Sequence, residues 1–291
     1  MGLCENRTVI ITGAGGGLGR AYALCFAAEG ANVVVNDIRA EAAQGVADEI
    51  GAAGGKALAD SGDITTMAGA QGIVDAAVAA FGEVHVLVNN AGILRDRMFL
   101  SLTEEDWDAV MRVHLKGHFC LANLLGRRWR DAGKAGQPVA ARIINTSSGA
   151  GLQGSIAQSN YAAAKAGIAG LTLVQAAELA RYGITVNCLA PAARTSMTEG
   201  AMPDLVKRPE QGFDAWDPMN VAAIVVWLGS TLSAHVTGRC FEAKGGELSV
   251  ADGWRTGEIT DKGARWEPAE LTPIVDKLIE HSVPPQKVYG T

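Results

Sequence analysis

The sequence is short of cysteine pairs, aromatic residues and long apolar runs, and each shortage excludes a class of protein. Aromatic residues make up 5% of the 291 positions, and the apolar run at 221–228 is too short to span a bilayer. The cysteines are odd in number and form no CxxC pair, which argues against a disulfide framework and a zinc site. They are Cys4, Cys25, Cys120, Cys188 and Cys240. We expect reduced thiols and no bound metal.

A surplus of positive charge is also missing. The chain carries 25 lysine and arginine residues against 31 aspartate and glutamate residues, a formal net charge of −6. This sign is wrong for a surface that binds nucleic acid, so we expect no nucleic-acid partner. A β-like run begins near residue 8 and leaves no room for a signal peptide. We therefore expect a cytoplasmic protein without a membrane span.

Short apolar, β-branched runs alternate with helix-like segments along the chain. Runs that are apolar on both faces predict buried strands of a parallel sheet, with helices covering both sides. Right-handed crossovers then predict an α/β fold with a Rossmann-type doubly wound sheet. The predicted strands are 9–11, 32–36, 56–59, 84–90, 141–146 and 184–189, and the predicted helices are 18–30, 39–50, 65–81, 103–130 and 161–182.

Two later stretches break this alternation. Residues 191–218 hold four prolines and little periodicity, which predicts a mobile segment over a site. Residues 251–291 are more weakly patterned. We expect one domain over residues 1–250 and a C-terminal extension, 251–291, that packs on this domain or on a partner subunit.

The first predicted strand ends in a glycine cluster, TGAGGGLG at 12–19. GxGxxG spacing fails in every register, whereas GxxxGxG fits Gly13, Gly17 and Gly19. Gly13 would form the tight turn, Gly17 would let the backbone approach a pyrophosphate, and Gly19, which follows Leu18, would let the helix pack on the sheet. The helix N-terminus would point free N–H groups at the anion. By itself the cluster fits a flexible turn equally well.

Asp37 lies 18 residues beyond Gly19, at the end of the second predicted strand. A carboxylate there accepts hydrogen bonds from a ribose 2′-hydroxyl and repels a 2′-phosphate, which favours NAD over NADP as the cofactor. Gly16 leaves no basic side chain in the loop to receive that phosphate. Arg39 is the one nearby basic residue that argues against this preference for NAD. We interpret it as a solvated residue at the start of a helix.

Tyr161 and Lys165 lie four residues apart on a predicted helix and therefore share one face. An ammonium near a phenol stabilises the phenolate and lowers its pKa, so that it can take a proton from an alcohol or return it. Ser148, at the end of the fifth predicted strand, could donate a hydrogen bond to the substrate oxygen. Taken alone, these residues fit a surface pair and a turn serine as well.

Together, TGAGGGLG, Asp37, NNAG at 89–92, Ser148 and YAAAK at 161–165 occur in the order and spacing of one family. Over residues of about 5–250 the chain resembles the short-chain dehydrogenases/reductases. The resemblance implies a seven-stranded parallel sheet and an NAD(P)-dependent enzyme that interconverts a secondary alcohol and a ketone by hydride transfer.

The same resemblance implies individual roles. Ser148 would bind the substrate oxygen, Tyr161 would be the acid/base, and Lys165 would bind the ribose and modulate the pKa of Tyr161. Asn90 would lie beside the adenine ribose, and Asp63 with Ile64 beside the adenine ring. The remaining implied cofactor contacts are Ala91 and Gly92.

A narrower resemblance is carried by NNAGILRDRMF, VHLKGHF and LAPAARTSMT. These stretches are similar to members of the family that oxidise 3-hydroxyacyl-CoA or hydroxysteroids. They imply an acyl-CoA as first choice of substrate and a steroid-like alcohol as second. An NAD-sensing or scaffolding protein without turnover is the alternative from another class, although it would have no need for the catalytic set. The resemblance also implies a homodimer or homotetramer, with helices 103–130 and 160–182 pairing.

Two departures from the family pattern affect the site. His114 stands in VHLKG, at 113–117, where many members carry asparagine. We hypothesise that its backbone carbonyl holds a relay water, with the imidazole as an additional relay; a packed helix histidine is the alternative. Ala192 replaces the usual glycine after Pro191, and Thr195 falls one residue early. We still expect Pro191 and Thr195 to line the nicotinamide end of the cofactor.

Overall fold

The computed structural model of the protein describes residues 2–201 and 203–291. Met1 and Met202, the latter within the segment predicted to be mobile, lie outside the described residues. No helix in the described part of the chain combines the length and apolar character needed to cross a membrane.

The strands form one sheet, in the order β3-β2-β1-β4-β5-β6-β7-β8. They are β1 (Thr8–Thr12), β2 (Asn32–Asn36), β3 (Lys56–Asp60), β4 (Val86–Asn89), β5 (Ala141–Thr146), β6 (Ile184–Pro191), β7 (Cys240–Lys244) and β8 (Glu247–Ala251). Strands β1 to β7 run parallel, and β8 pairs antiparallel with β7. The Rossmann-type parallel sheet is confirmed, and β8 adds an edge strand to the seven expected.

The helices connect successive strands and cover both faces of the sheet. They are α1 (Gly17–Ala28), α2 (Ala40–Ala52), α3 (Met67–Phe81), α4 (Glu104–Met111), α5 (Gly117–Lys134), α6 (Gly149–Gln153), α7 (Ser159–Leu179), α8 (Ser196–Ala201), α9 (Pro218–Gly229) and α10 (Leu271–Glu280). A π-helical turn (Arg112–Lys116) joins α4 to α5, and short 3₁₀ turns lie at Phe99–Ser101, Ala180–Tyr182 and Pro268–Glu270.

Two hydrophobic layers hold the sheet between the helices. Side chains alternate along a strand, so Val9 and Ile11 of β1 enter the layer that includes Phe26 of α1. Ile10 enters the opposite layer with Leu121 of α5. All five side chains are fully buried. The apolar runs of the sequence therefore become strands with both faces covered.

Helix α4 begins at Glu104, directly after Thr103, whose residue type favours the N-cap position of a helix. The Thr103 hydroxyl accepts a hydrogen bond from the Asp106 backbone N–H at 3.1 Å. Acidic side chains fill the first turn, where they favour the positive end of the helix dipole. Because α4, the π-helical turn and α5 follow one another without a break, residues 104–134 form nearly the single helix expected for 103–130.

The sheet order places a crevice where it reverses direction. Strand β1 lies between β2 and β4, so the connections leaving β1 and β4 diverge to opposite sides. Parallel strands end at the same edge, and ligands of such sheets bind outside their carboxyl ends at this point. The fold therefore brings the glycine cluster and the ends of β2, β4, β5 and β6 to one edge.

We expect Phe26→Ala to lower the free energy of unfolding by about 3–5 kcal/mol, because it leaves a cavity between α1 and the sheet. Phe213→Ala, at a side chain that is 66% exposed, should change it by no more than about 0.5 kcal/mol. Urea unfolding followed by circular dichroism measures both. Equal losses for the two variants would contradict this account of the core.

Candidate active site

A cleft of ≈ 1620 Å³ opens along the carboxyl edge of the sheet. It is lined by every residue that the sequence analysis placed in the catalytic set or at the cofactor. These are Gly13, Gly17, Leu18, Gly19, Asp37, Asp63, Ile64, Asn90, Ala91, Gly92, His114, Ser148, Tyr161, Lys165, Pro191 and Thr195. Residues that are far apart in the sequence are thus brought to a single site, although their individual roles remain predictions.

The glycine loop is closely packed at Gly13 and Gly19, where a side chain would not fit. Gly13 has a φ of +62°, and a Cβ there would lie 2.8 Å from the Ala91 Cα. Gly17 has a φ of +51° and begins α1. A Cβ at Gly19 would overlap the Gly13 carbonyl. The loop therefore leaves backbone N–H groups and the α1 N-terminus facing the cleft, a cradle that fits a pyrophosphate.

Asp37 ends β2 beside this loop, with its carboxylate almost fully buried. The Gly15 N–H donates to Asp37 Oδ2 at 3.1 Å. The Arg39 backbone N–H donates to Oδ1 at 3.0 Å, and its guanidinium Nε donates to the same oxygen at 3.1 Å. Arg39 is exposed at the start of α2, as expected, but it is an ion-pair partner of Asp37 as well as a solvated residue.

The other predicted adenosine contacts border the same end of the cleft. Asp63 accepts hydrogen bonds from the Thr65 N–H at 2.8 Å and the Thr65 hydroxyl at 3.0 Å. The backbone bond from Thr65 holds the pKa of the Asp63 carboxyl below its usual value. The Asn90 Nδ2 donates to the Thr12 carbonyl at 2.9 Å, which ties the end of β4 to the end of β1.

Thr12 is a site residue that sequence reasoning did not identify. Its hydroxyl accepts from the backbone N–H groups of both Asn90 and Ala91, each at 3.0 Å. This one oxygen joins the glycine loop to the NNAG loop and so sets the width of the cradle. Its position at the start of TGAGGGLG could have pointed to this role, but its bonding partner Asn90 lies 78 residues away in the sequence.

Ser148, Tyr161 and Lys165 converge at the middle of the cleft. Ser148 follows β5 and caps α6, where its Oγ accepts from the Ala150 N–H at 3.2 Å. The Ser148 side chain also lowers the pKa of Tyr161. The Lys165 ammonium donates to the Thr146 carbonyl at 2.6 Å and lies 5.5 Å from the centre of the Tyr161 ring. Tyr161 and Lys165 therefore share one face of α7, as predicted, and both line the cleft.

Burial acts on both ionisable groups of this set. It raises the pKa of Tyr161 above its ordinary value, and the hydrogen bond with Ser148 opposes that rise. Burial lowers the pKa of Lys165 from 10.5 to about 8. Of the groups around Tyr161, Ser148 is the one that lowers its pKa. The expected effect of the Lys165 charge on the phenol stays a prediction.

His114 is buried in the π-helical turn, against Tyr161. Its Nε2 lies 3.1 Å from the Ile93 N and 2.9 Å from the Ile93 O, and its ring meets the Tyr161 ring edge-on with centres 5.3 Å apart. Burial, with a smaller contribution from the Lys165 charge, lowers the pKa of His114 to about 3. A neutral imidazole bonded to a backbone loop favours packing and positioning over proton transfer by the ring.

Asn160 is a second residue that sequence reasoning missed. Its Oδ1 accepts from the Tyr161 N–H at 2.8 Å, and its Nδ2 donates to the Arg95 carbonyl at 3.0 Å. It thereby fixes the first turn of α7, and with it Tyr161, against the NNAG loop. Arg95 and Arg97, which follow the NNAG loop, are exposed and lie outside the cleft lining, and Arg97 pairs with Asp106.

Pro191 and Thr195 close the end of the cleft that faces the glycine loop. Pro191 is the last residue of β6, and Thr195 precedes α8. A Cβ at Gly17 would lie 3.3 Å from the Thr195 Cγ2, so this threonine borders the cradle despite its shifted spacing.

Known proteins are similar to this chain along most of its length. The model of the short chain dehydrogenase family matches residues 7–205. Hydroxyacyl-CoA dehydrogenase ChsB1 of Mycobacterium tuberculosis is 43% identical over 99% of this chain and 93% of its own length. A short chain dehydrogenase from Mycobacterium avium, known from its crystal structure, is 53% identical over the full length of both chains, with a TM-score of 0.92.

Peroxisomal multifunctional enzyme type 2 of Mus musculus is 41% identical over 90% of this chain but only 33% of its own length. The chain therefore spans about a third of that larger enzyme. NNAGILRDRMF and VHLKGHF were among the stretches that carried the narrower resemblance to this kind of enzyme. These matches confirm the resemblance drawn from the motifs.

The buried histidines predict a loss of stability in acid. Below pH 6.5 the unfolded chain protonates His114, whereas the folded imidazole stays neutral to about pH 3, so stability falls as the pH falls between these values. His114→Asn should remove about 2–3 kcal/mol of the loss between pH 7 and about pH 4.5. Urea unfolding at both pH values measures it. His235→Asn, at an exposed histidine, is the control, and the same change in both variants would contradict the assignment.

Proposed function

The chain belongs to the short-chain dehydrogenases/reductases, and on that premise we propose that it oxidises a 3-hydroxyacyl-CoA to the 3-oxoacyl-CoA with NAD. The observation that carries this proposal is the convergence of Ser148, Tyr161 and Lys165 beside a glycine cradle in one cleft. The substrate class is supported by the name of the ChsB1 relative, which matches this chain over 99% of its length.

The chain's own residues supply binding and proton transfer. The glycine loop and Asp37 would hold a nicotinamide cofactor, which would supply the hydride acceptor in oxidation and the hydride donor in reduction. Ser148 holds the substrate oxygen, and the Tyr161 hydroxyl takes its proton in oxidation and returns it in reduction. The Lys165 ammonium, held by Thr146, favours the phenolate through its charge and reaches towards the ribose. Asn160 and His114 position the elements that carry Tyr161.

The cradle and Asp37 support NAD over NADP. The Asp37 carboxylate follows β2 beside the glycine loop, so it could accept hydrogen bonds from the ribose and would repel a 2′-phosphate. Arg39 neutralises part of this charge, yet Asp37 is the buried partner and is held by two backbone N–H groups. The preference for NAD therefore depends on the fixed carboxylate.

A hydroxysteroid or another bulky secondary alcohol is the second candidate substrate. Apolar side chains at the substrate end of the cleft, Ile156, Met197, Leu205 and Leu248, suit either class. A cofactor sensor without turnover is the candidate from another class, but a sensor has no physical need for the buried Tyr161 and Lys165.

Assembly and location are parts of the same proposal. Exposed apolar side chains on α5 and α7, Phe119, Leu173 and Val174, support a homodimer or homotetramer that pairs these helices. The cytoplasm stays the predicted compartment, although several relatives carry peroxisomal names.

We expect Tyr161→Phe to lower kcat/KM for 3-hydroxybutyryl-CoA by about 10²- to 10⁴-fold, because it removes the group that accepts the alcohol proton. The absorbance of reduced nicotinamide measures turnover, and calorimetric titration with NAD checks that cofactor binding is retained. Tyr182→Phe, at a tyrosine outside the cleft lining, is the matched control. NAD binding without turnover of any acyl-CoA or steroid alcohol by the wild type would support the sensor instead.

We expect Asp37→Ser to lower the preference for NAD over NADP by about 10- to 100-fold, because a charged hydrogen bond to the ribose is lost together with the repulsion of a 2′-phosphate. The ratio of kcat/KM for the two cofactors measures this preference. Asp48→Ser, which removes the same charge from the exposed face of α2, is the control. An unchanged ratio in Asp37→Ser would show that another residue selects the cofactor.

A further inference from the structure

The last residues of the chain lie at the cleft, although the segment before them lies on the surface. Residues 252–287 are almost entirely exposed. At Tyr289 the backbone then pairs with the loop that follows α6: the Ile156 N–H donates to the Tyr289 carbonyl at 3.0 Å, and the Tyr289 N–H donates to the Gly154 carbonyl at 3.2 Å. These bonds form an isolated parallel bridge between Ser155 and Tyr289. The chain end is therefore docked at a defined place.

The Tyr289 ring lies directly against the residue that follows Ser148. A Cβ at Gly149 would be 2.5 Å from the Tyr289 Oη and 2.9 Å from its Cε2. Glycine at 149 thus leaves the space that the ring occupies. The ring is 48% exposed, and both Tyr289 and Gly290 line the cleft.

The loop that receives the tail connects the two halves of the catalytic set. Residues 154–158 run from α6, which Ser148 caps, to α7, which carries Tyr161. The opposite end of the loop is held by the Arg97 N–H, which donates to the Ala157 carbonyl at 2.8 Å. The loop is thus held on one side by the NNAG region and on the other by the chain end, and Tyr289 is part of a defined wall.

We propose that Tyr289 is a specificity-determining residue, whose ring closes the substrate end of the cleft beside Ser148 and limits the size of the group attached to the carbinol carbon. This inference rests on the proposed function. The ring lies against Gly149, the residue after Ser148, in the same cleft, where it would limit the room for a substrate held by Ser148. Ile156, on the same loop, continues the apolar wall.

The test compares a long and a short substrate, 3-hydroxydecanoyl-CoA and 3-hydroxybutyryl-CoA. We expect Tyr289→Ala to raise the long-to-short ratio of kcat/KM by about tenfold, the range in which an apolar pocket discriminates by size. Tyr289→Phe should keep the wild-type ratio, because the ring remains. Val283→Ala, at a side chain of the same tail that is 91% exposed, is the matched control.

A second pair of variants tests the contact without relying on Tyr289→Ala alone. Gly149→Ala places a methyl group where the ring lies and should displace it. It is expected to change the ratio by about threefold or more when Tyr289 is present, and by less when it is combined with Tyr289→Ala, which has already removed the ring. An equal change in both backgrounds would show that the ring and Gly149 do not meet in solution.

The outcomes separate the two proposals. A wild type that is active on either thioester, with a ratio unchanged by Tyr289→Ala or changed equally by Tyr289→Phe, overturns the role of the ring and leaves the proposed function standing. A wild type that oxidises neither thioester contradicts the proposed function, and the inference about Tyr289 falls with it.

Discussion

The ammonium group of Lys165 is buried in the middle of the protein, and the groups around it are arranged to tolerate a charge there. The side chain is 2% exposed and donates to the Thr146 carbonyl at the end of β5. A buried charge is costly unless it is hydrogen-bonded, so the strand end and α7 must stay in register. Burial and this charge lower the pKa values of both His114 and His118. Burial, reinforced by this one cation, thus keeps both imidazoles neutral.

The cleft depends equally on small polar links between distant parts of the chain. The Thr12 hydroxyl joins the glycine loop to the NNAG loop, and Asn160 joins the start of α7 to the same region. Each link satisfies backbone groups that would otherwise be unpaired at the end of a strand or helix. Together they turn flexible connections into a rigid cradle, which is what a dinucleotide and a reacting alcohol need in order to meet at a fixed distance.

Much of the architecture could be predicted from the sequence because it follows local rules. Short continuous apolar runs, the capping residue Thr103 and the glycine spacing each encode their structure within a few residues. Strands β1 to β6 were accordingly predicted within one or two residues at their ends. No ranges were predicted for β7 and β8 or for α6, α8, α9 and α10, whose positions depend on the rest of the fold.

The sequence by itself determined the sheet, the cradle and the chemical identity of the catalytic set, because backbone propensity, side-chain alternation and residue type are local properties. Only the tertiary structure decided which groups touch. It paired Arg39 with Asp37, put the Lys165 ammonium on a backbone carbonyl, and laid Tyr289 over Gly149. The last of these contacts joins residues 140 positions apart. No local sequence pattern predicts a contact across that separation, because the contact is set by the packing of the residues between them.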